Sequence, residues 1–350
     1  MGERAVKGAK ELVRSAIEHR ETETVPCNFM FSPPAEERLK AYYGVEDLVA
    51  ALEMPMVFFG PRDKPLYADP DVHGETITDQ FGVVWSTSKI DRGSPIGPPL
   101  KEADASGFRI SDWRFPNPDD PKRFAGLDEE VPPWRDRFLV GVIGDLWERA
   151  GFMRGLGNLC MDVLENPTFV EELLERIKDY VIQTLEHLAR TKPDGVFLSD
   201  DYGTQAGLII DPRQWRRIVK PRLKEIYQAA KRNNLVVMHH TCGDVREIIP
   251  DLIEIGLDIL HPIQPEAMDI FALKSEFGHD LTCCGGVGTQ HLLPRGTPSE
   301  IRETVRKTMD VMARGGGYIL EPGITLQDDV PVENMVAMIE AAREYRRGGA

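Results

Sequence analysis

Residues 235–244 have the sequence LVVMHHTCGD, in which an apolar run changes abruptly to polar chemistry. The run at 235–238 is typical of a strand that is buried on both faces of a parallel sheet. His239, His240 and Cys242 follow where the strand should end. Because side chains alternate along a strand, His240 and Cys242 should share one side and His239 should face the other. This stretch predicts a buried parallel strand with reactive groups at its carboxyl end.

Much of the chain repeats this pattern of a strand followed by a helix. Gly243 allows a turn after the central strand, and Asp244 can cap the helix that follows. The alternation favours a parallel sheet with helical crossovers, and eight repeats favour closure into a (β/α)8 TIM barrel of the α/β class. A doubly wound open sheet is the alternative, although no Gly-x-Gly-x-x-Gly follows a strand. The predicted strands cover residues 25–31, 54–59, 138–144, 195–199, 235–238, 259–263, 281–284 and 318–320.

A segment rich in proline, glycine and aspartate, residues 61–135, interrupts this rhythm after the second predicted strand. Its alternating run at 77–88, ITDQFGVVWSTS, predicts a hairpin. We interpret the segment as an insertion that covers one end of the barrel. The prediction is therefore a single barrel domain over residues 1–350 with one insertion, a length that suits this architecture.

The composition limits the classes of partner and compartment. A formal charge of −15 argues against nucleic acid or an anionic membrane as the main partner. The five cysteines are an odd number and lack a secretory disulfide pattern, so we expect a reducing cytoplasm. No apolar run approaches membrane-spanning length, so we expect no membrane partner.

Polar side chains gather at the carboxyl ends of the predicted strands. In a barrel these ends converge on one mouth, where such enzymes keep their chemistry. Each residue alone has a structural explanation, because an Asp-Asp pair often caps a turn and a buried cysteine often packs as a small apolar residue. Five consecutive strands that end in such groups favour a shared functional site. The candidates are Asp200, Asp201, Tyr202, Gln205, His239, His240, Cys242, Gln264, Cys284, Gln290 and Glu321.

His240 and Cys242 offer an imidazole nitrogen and a thiolate, which are ligand types that zinc takes. Two ligands are too few, because a catalytic zinc site has three protein ligands and an open position. Several residues could supply the third ligand, and the sequence leaves the choice open. Cysteines are good ligands, acids are harder but acceptable, and an amide is weak. These candidates are Cys283, Cys284, Asp200, Asp201, Glu321 and Gln264.

Five segments carry a resemblance to a known family, namely FLSDDYGTQ (197–205), HHTCGDV (239–245), IPDLIEIGLDILHPIQPEAMD (249–269), CGGVGTQHLLPRGTP (284–298) and GGGYILEPGITLQDDVPVENMVAM (315–338). In these segments, and in their order, the chain resembles the uroporphyrinogen decarboxylase superfamily. The resemblance implies a barrel of this length. It also implies one of two chemistries. One branch decarboxylates uroporphyrinogen without a cofactor, and the other comprises cobamide-dependent methyltransferases that bind zinc through His-x-Cys and a later cysteine.

The chain departs from both branches at specific positions. True decarboxylases carry an arginine-rich segment near the first strand and an aspartate after the second. The corresponding segments here, CNFMFSPPAEERL (27–39) and MPMVFFGPRDKPL (54–66), lack both features, although Arg62 and Asp63 lie close by. The methyltransferase branch would place its third zinc ligand at Ile324 and an aspartate at Gly288. The match at His-x-Cys favours the methyltransferase branch.

The resemblance therefore leads us to expect a methyltransferase. It would move a methyl group between a small methylated substrate and a corrinoid (cobamide) carried by a partner protein, and the family implies a homodimer. Cofactor-free decarboxylation of a porphyrinogen or smaller acid is the first alternative. A non-catalytic barrel that binds a corrinoid or tetrapyrrole is the second. The expected roles are catalysis for Asp200, Asp201, Tyr202 and Gln264, substrate binding for Gln205, His239, Gln290 and Glu321, and zinc binding for His240, Cys242 and Cys284.

Overall fold

The structure is a computed structural model that describes residues 8–63, 67–90, 92–103 and 107–346. Its strands are β1 (Met56–Phe59), β2 (Thr76–Thr78), β3 (Val84–Ser86), β4 (Pro95–Gly97), β5 (Phe138–Gly144), β6 (Gly195–Ser199), β7 (Gly203–Thr204), β8 (Gly207–Leu208), β9 (Val236–His240), β10 (Ile259–Ile263), β11 (Thr282–Val287) and β12 (Tyr318–Pro322). The predicted α/β class is confirmed, because β1, β5, β6 and β9 to β12 overlap seven predicted strands and are separated by helices.

The helices are α1 (Ala9–Ile17), α2 (Pro33–Tyr43), α3 (Leu48–Ala51), α4 (Pro70–His73), α5 (Leu127–Glu130), α6 (Trp147–Arg154), α7 (Leu156–Glu165), α8 (Pro167–Ala189), α9 (Pro212–Ile218), α10 (Lys220–Arg232), α11 (Ile249–Ile255), α12 (Ile270–Phe277), α13 (Leu292–Arg295), α14 (Pro298–Met312) and α15 (Val332–Glu344). Local signals fix several of their ends. Asp211 caps α9, and Thr297 and Glu300 form a reciprocal capping box at α14. None of these helices is both long and apolar enough to cross a membrane.

Residue contacts divide the chain into two compact units. Unit 1 comprises the described residues of 1–59, 129–140 and 258–350, and unit 2 comprises those of 60–128 and 141–257. The predicted insertion, 61–135, is thus shared between the units, because its last residues belong to unit 1. The single-domain organisation and the bounds of the insertion stay predictions.

In unit 1, β10, β11 and β12 pair in parallel, with Leu260 opposite Cys283 and Gly286 opposite Glu321. The strand predicted at 25–31 is not regular, and it forms only two isolated parallel bridges, Cys27 to Leu320 and Phe31 to Leu326. Pro26 contributes its carbonyl to this pairing but has no N–H to donate. The segment therefore lies beside β12 without becoming a continuous strand.

In unit 2, β6 and β9 pair in parallel over five residues, from Gly195 opposite Val236 to Ser199 opposite His240. Both histidines of the predicted strand end therefore lie inside β9. The long helix α8 buries the predicted apolar stripe, which consists of Val170, Leu173, Leu174, Ile177, Val181, Leu185 and Leu188. Residues 77–88 form the predicted hairpin from β2 and β3, and β4 adds a third antiparallel strand.

Truncation of the α8 stripe should destabilise the protein. Leu185 is fully buried, so Leu185→Ala should lower the free energy of unfolding by about 2–5 kcal/mol through lost apolar contacts and a residual cavity. Gln183→Ala is the control, because Gln183 is exposed on the same helix. Chemical denaturation followed by circular dichroism measures the difference. Equal midpoints for the two variants would contradict the packing of this helix.

Candidate functional site

The loops after β6 and β9 touch through their backbones. Gly243 has φ +84°, and a Cβ there would lie 2.4 Å from the carbonyl carbon of Gly203. A Cβ at Gly203 would lie 2.6 Å from the carbonyl oxygen of Cys242. Both positions therefore need glycine, one for its backbone conformation and both for close approach. This approach brings the acids that follow β6 to the residues that follow β9.

The carboxylate of Asp201, the imidazole of His240 and the thiol of Cys242 form one cluster, with possible ligand atoms all within 4.8 Å of one another. The His240 Nε2 atom lies 3.3 Å from the Cys242 sulfur and 3.5 Å from Asp201 Oδ1. The Cys242 backbone N–H donates to that same oxygen at 2.7 Å. The side chains of Asp201 and His240 are 31% and 16% exposed, so small molecules can approach the cluster.

The thiol of Cys242 lies in surroundings that disfavour a bare thiolate. Burial raises the pKa of Cys242 well above its ordinary value, and the negative charge of Asp201 adds to this rise. Arg92 opposes the rise but does not reverse it. In the absence of a cation, the cluster therefore holds a protonated thiol at neutral pH.

Asp200 points away from this cluster. It is fully buried and accepts the backbone N–H groups of Trp147 and Glu148 at 3.0 and 2.7 Å and the Tyr202 hydroxyl at 2.6 Å. Those N–H groups begin α6, so Asp200 caps that helix from the end of β6. Burial raises the pKa of Asp200 to about 7, although the three hydrogen bonds oppose the rise. Asp200, with Tyr202 as its partner, thus holds the start of α6, and the expected catalytic roles of these two residues stay predictions.

His239 faces the helices, as the alternation along β9 predicts. It is fully buried, its Nδ1 atom lies 2.7 Å from the Tyr227 hydroxyl, and its Nε2 atom lies 3.2 Å from the Asp200 carbonyl oxygen. Burial lowers the pKa of His239 to about 4, so the ring is neutral. These partners give His239 a structural place, and its expected substrate contact stays a prediction.

Glu148 on α6 contributes a further carboxyl group near the cluster. Burial, together with the negative charges of Asp201, Asp200 and Asp145, raises the pKa of Glu148 to about 9, so the side chain is protonated at neutral pH. Sequence analysis missed this residue. Its position could have indicated it, because Glu148 lies three residues after Asp145, just beyond the carboxyl end of β5, where the other candidate residues also gather.

A cavity of about 190 Å³ in unit 2 includes Glu148 in its wall. The walls also contain Ser199, which pairs with His240, and Trp85 and Phe152, which meet edge to face. Arg149 also lines this cavity and forms ion pairs with both Asp79 and Asp145, so its positive charge offsets the charges of these acids. The cavity suits a small ligand with both apolar and polar groups.

The three glutamines among the expected site residues differ in how far they are exposed. Gln205 is exposed in the turn between β7 and β8. Gln264 follows β10 and is buried. Gln290 is exposed, and its backbone N–H donates to Glu266 at 2.9 Å. That Glu266 oxygen would lie 2.7 Å from a Cβ at position 288, so it fills the space that a side chain at Gly288 would take.

Cys284 and Glu321 belong to another cluster, in unit 1, together with His261. The expected zinc trio is therefore not reproduced as such, since His240 and Cys242 are joined by Asp201, and Cys284 is joined by His261 and Glu321. Local sequence could not make this assignment, because Asp201 follows a different strand from His240 and Cys242, and the three donors of the other cluster lie on three different strands. His261 was missed because it lies within the apolar run ILHPI, which otherwise predicts only a buried strand.

A side chain at position 243 should disturb the cluster. Gly243→Ala should push the two loops apart, displace Cys242 from Asp201, and lower the thermal unfolding midpoint by several degrees, because no L-residue fits this contact without strain. Gly157→Ala is the matched control, since nothing lies within 4 Å of its added Cβ in helix α7. Thermal denaturation compares the two. An equal midpoint in both variants would contradict the close backbone approach.

Comparison with known proteins adds relatives of two kinds. A methylated-thiol–coenzyme M methyltransferase of Methanosarcina mazei is 21% identical over 64% of this chain and 55% of its own length. A methylcobamide:CoM methyltransferase of Methanosarcina barkeri is 22% identical over 56% of this chain and 58% of its own length. A uroporphyrinogen decarboxylase of Actinobacillus succinogenes is 23% identical over 63% of this chain and 61% of its own length. This chain thus matches somewhat over half the length of each relative.

The structural comparison covers nearly the whole chain. A methyltransferase from Methanosarcina mazei superposes with a TM-score of 0.69, over 97% of this chain and 99% of its own, at 18% identity. At this identity the likeness shows the fold, which agrees with the expected TIM-barrel-like architecture. The model of the family described as uroporphyrinogen decarboxylase (URO-D) matches residues 129–345, which is well over half of the chain. The chain therefore belongs to the uroporphyrinogen decarboxylase (URO-D) family.

Proposed function

We propose that this protein is a methyltransferase of the URO-D superfamily that moves a methyl group between a small methylated substrate and a corrinoid held by a partner protein. The observation that carries the proposal is the oxygen, nitrogen and sulfur donor set of Asp201, His240 and Cys242. The methyltransferases among the relatives support the same reaction class, since one is named for methylated thiols and another for methylcobamide. The identity of the small substrate, the corrinoid protein as partner and a homodimer stay predictions.

The donor set fits zinc in chemistry and in spacing. Zinc binds carboxylate oxygen, imidazole nitrogen and thiolate sulfur at about 2.0–2.3 Å, so donors of a tetrahedral site lie roughly 3.3–3.8 Å apart. The separations of 3.3 and 3.5 Å around His240 Nε2 fall in this range. Three protein ligands leave a fourth position open, which is the arrangement of catalytic rather than structural zinc. In this proposal Asp201 takes the role that the resemblance assigned to position 324.

The residues around the cluster would orient the ligands and exclude water. Zinc, when bound, would lower the pKa of a coordinated substrate thiol and so supply a thiolate nucleophile. The backbone N–H of Cys242 donates to Asp201 Oδ1, which is also the oxygen 3.5 Å from His240 Nε2, and so it orients the carboxylate toward the cluster. Asp200 anchors the start of the same loop to α6, so the Asp201 carboxylate is carried on a fixed backbone. The protonated Glu148 can donate a hydrogen bond to an anionic substrate group in the cavity.

Decarboxylation is the alternative that the other relatives raise. Asp63 is the acid that stands nearest to the expected decarboxylase position after the second strand. Its carboxylate forms a two-pronged ion pair with Arg123 at 2.9 and 3.1 Å. An acid engaged in this way is not available to face pyrrole nitrogens. The geometry around Asp63 therefore favours methyl transfer over porphyrinogen decarboxylation.

Loss of a ligand should remove zinc from the partly exposed cluster. Cys242→Ala and Asp201→Ala should each lose the zinc that a chelator extracts from the wild-type protein, because two remaining ligands bind the ion too weakly. Cys160→Ala is the control, since Cys160 is also partly exposed but stands outside the cluster. Elemental analysis before and after dialysis against chelator measures the zinc bound per protein chain. Wild-type protein with no chelator-extractable zinc would refute the metal site.

Turnover distinguishes the proposed reaction from its alternative. With methylcobalamin as the methyl donor and coenzyme M as the acceptor, the wild-type protein should consume the methyl-cobalt absorbance. Cys242→Ala should be slower by on the order of 100-fold or more, because several kcal/mol of charge stabilisation are lost. The same preparations are incubated with uroporphyrinogen. Formation of coproporphyrinogen without any methyl transfer would overturn the proposed function.

A further inference from the structure

A second set of metal-binding side chains lies in unit 1. Four neighbouring segments each contribute one polar residue, namely Asn28 from the segment bridged to β12, Glu321 from β12, Cys284 from β11 and His261 from β10. The possible ligand atoms of His261, Cys284 and Glu321 all lie within 4.8 Å of one another. The proposed methyltransferase site uses none of these residues.

This cluster is far more buried than the first. The side chains of His261 and Glu321 are 2% and 1% exposed, and Cys284 is fully buried. His261 Nε2 lies 2.7 Å from one Glu321 oxygen, and Asn28 Nδ2 donates to the other at 2.7 Å. A carboxylate at this depth needs such partners, because a buried charge without compensation is strongly destabilising.

Two features show that hydrogen bonds alone do not satisfy the cluster. The Asn28 Oδ1 atom is buried and has no hydrogen-bond partner, although its amide group touches Glu321. Buried side-chain oxygens are rarely left without a partner. The Cys284 thiol also forms a hydrogen bond with the Glu321 carboxylate. Both a bare oxygen and a replaceable proton are therefore present where a cation could bind.

We propose that His261, Cys284 and Glu321 form a second metal site, which takes a borderline divalent cation such as zinc and has a structural role. Imidazole, thiolate and carboxylate are the ligand types that zinc combines, and Asn28 Oδ1 offers a fourth oxygen. A four-donor set that is closed to solvent is the arrangement of structural zinc. The inference is independent of the proposed function, because it would hold for any reaction at the first cluster.

The cation would take the place of a proton. On binding, Cys284 would release its thiol proton to solvent. The neutral His261 ring would keep its one proton on Nδ1, so that Nε2 and Glu321 Oε2 can both face the metal. The two atoms would move apart from 2.7 Å to roughly the 3.3 Å of a tetrahedral edge. The metal would then tie together β10, β11 and β12, so its removal should loosen unit 1.

The adjacent cysteine provides a matched control. Cys283 precedes Cys284 on β11, is equally buried, and has side-chain alternation that turns it to the other face of the strand. Cys283→Ser removes a buried thiol outside the cluster. Its loss of packing should therefore equal that of Cys284→Ser, and any further effect of Cys284→Ser would come from the metal site. Glu321→Gln is a second variant that keeps the shape of the side chain and removes its charge.

Elemental analysis of the purified full chain tests the proposal. The wild-type protein should carry about two equivalents of zinc, of which dialysis against a chelator removes the one at the partly exposed cluster. Cys284→Ser and Glu321→Gln should each lose the chelator-resistant equivalent and unfold at a lower temperature, whereas Cys283→Ser should keep it. If no chelator-resistant metal is present, or if Cys284→Ser retains it, the second site is refuted. Cys242→Ala should lose only the metal that chelator extracts and should keep the chelator-resistant one. The two sites can therefore fail or stand independently of each other.

A cobalt substitution covers the case in which Cys284→Ser does not fold. Cys242→Ser is refolded with Co²⁺ in place of zinc, and its near-ultraviolet spectrum is recorded after dialysis against chelator. A surviving thiolate-to-cobalt charge-transfer band can arise only from a cysteine other than residue 242, and it should disappear in the Cys242→Ser, Glu321→Gln double variant. A spectrum without this band would overturn the proposal, because Cys284 would then hold no metal.

Discussion

The contact between the backbone after β6 and the backbone after β9 is the constraint on which the candidate active site depends. Two glycines permit it, since neither Gly203 nor Gly243 has room for a Cβ. Hydrogen bonds then join the loops along their length, from the Asp200 N–H to the His240 carbonyl and from the Asp244 N–H to the Thr204 carbonyl. With the backbones fixed in this way, the Asp201 carboxylate meets the imidazole and thiol of the next strand.

Adjacent acids on the first of these loops have opposite environments. Asp200 turns inward, is fully buried and uses its oxygens on the start of α6 and on Tyr202. Asp201 turns outward, is partly exposed and shares an oxygen with the Cys242 backbone. A buried carboxylate is tolerated only where donors satisfy it, so the inner acid holds the loop, whereas the outer acid lies within the cluster of possible metal ligands. The rigidity of the site thus rests on a residue that does not face the ligand.

The two clusters of possible metal ligands differ in the property that separates catalytic from structural metal sites. The cluster of Asp201, His240 and Cys242 is open and has three donors, which leaves a position for a substrate atom. The cluster of His261, Cys284 and Glu321 is closed and has an additional amide oxygen beside it. The same kinds of ligand therefore support different proposals, because solvent access decides whether a bound cation can reach a substrate.

The sequence by itself determined the elements whose causes are local. Apolar runs gave β6 and β9, a periodic stripe gave α8, and the capping box at Thr297 gave the start of α14. It also determined that His240 and Cys242 share a side, because alternation is a property of the strand. Only the tertiary structure decided that Asp201 rather than Asp200 joins them, and that Cys284 joins His261 and Glu321 instead. The physical reason is that strand register and loop contacts fix these neighbours. Those contacts join residues far apart in the chain, 41 positions for Asp201 and Cys242 and 23 for His261 and Cys284, which is beyond the reach of local spacing.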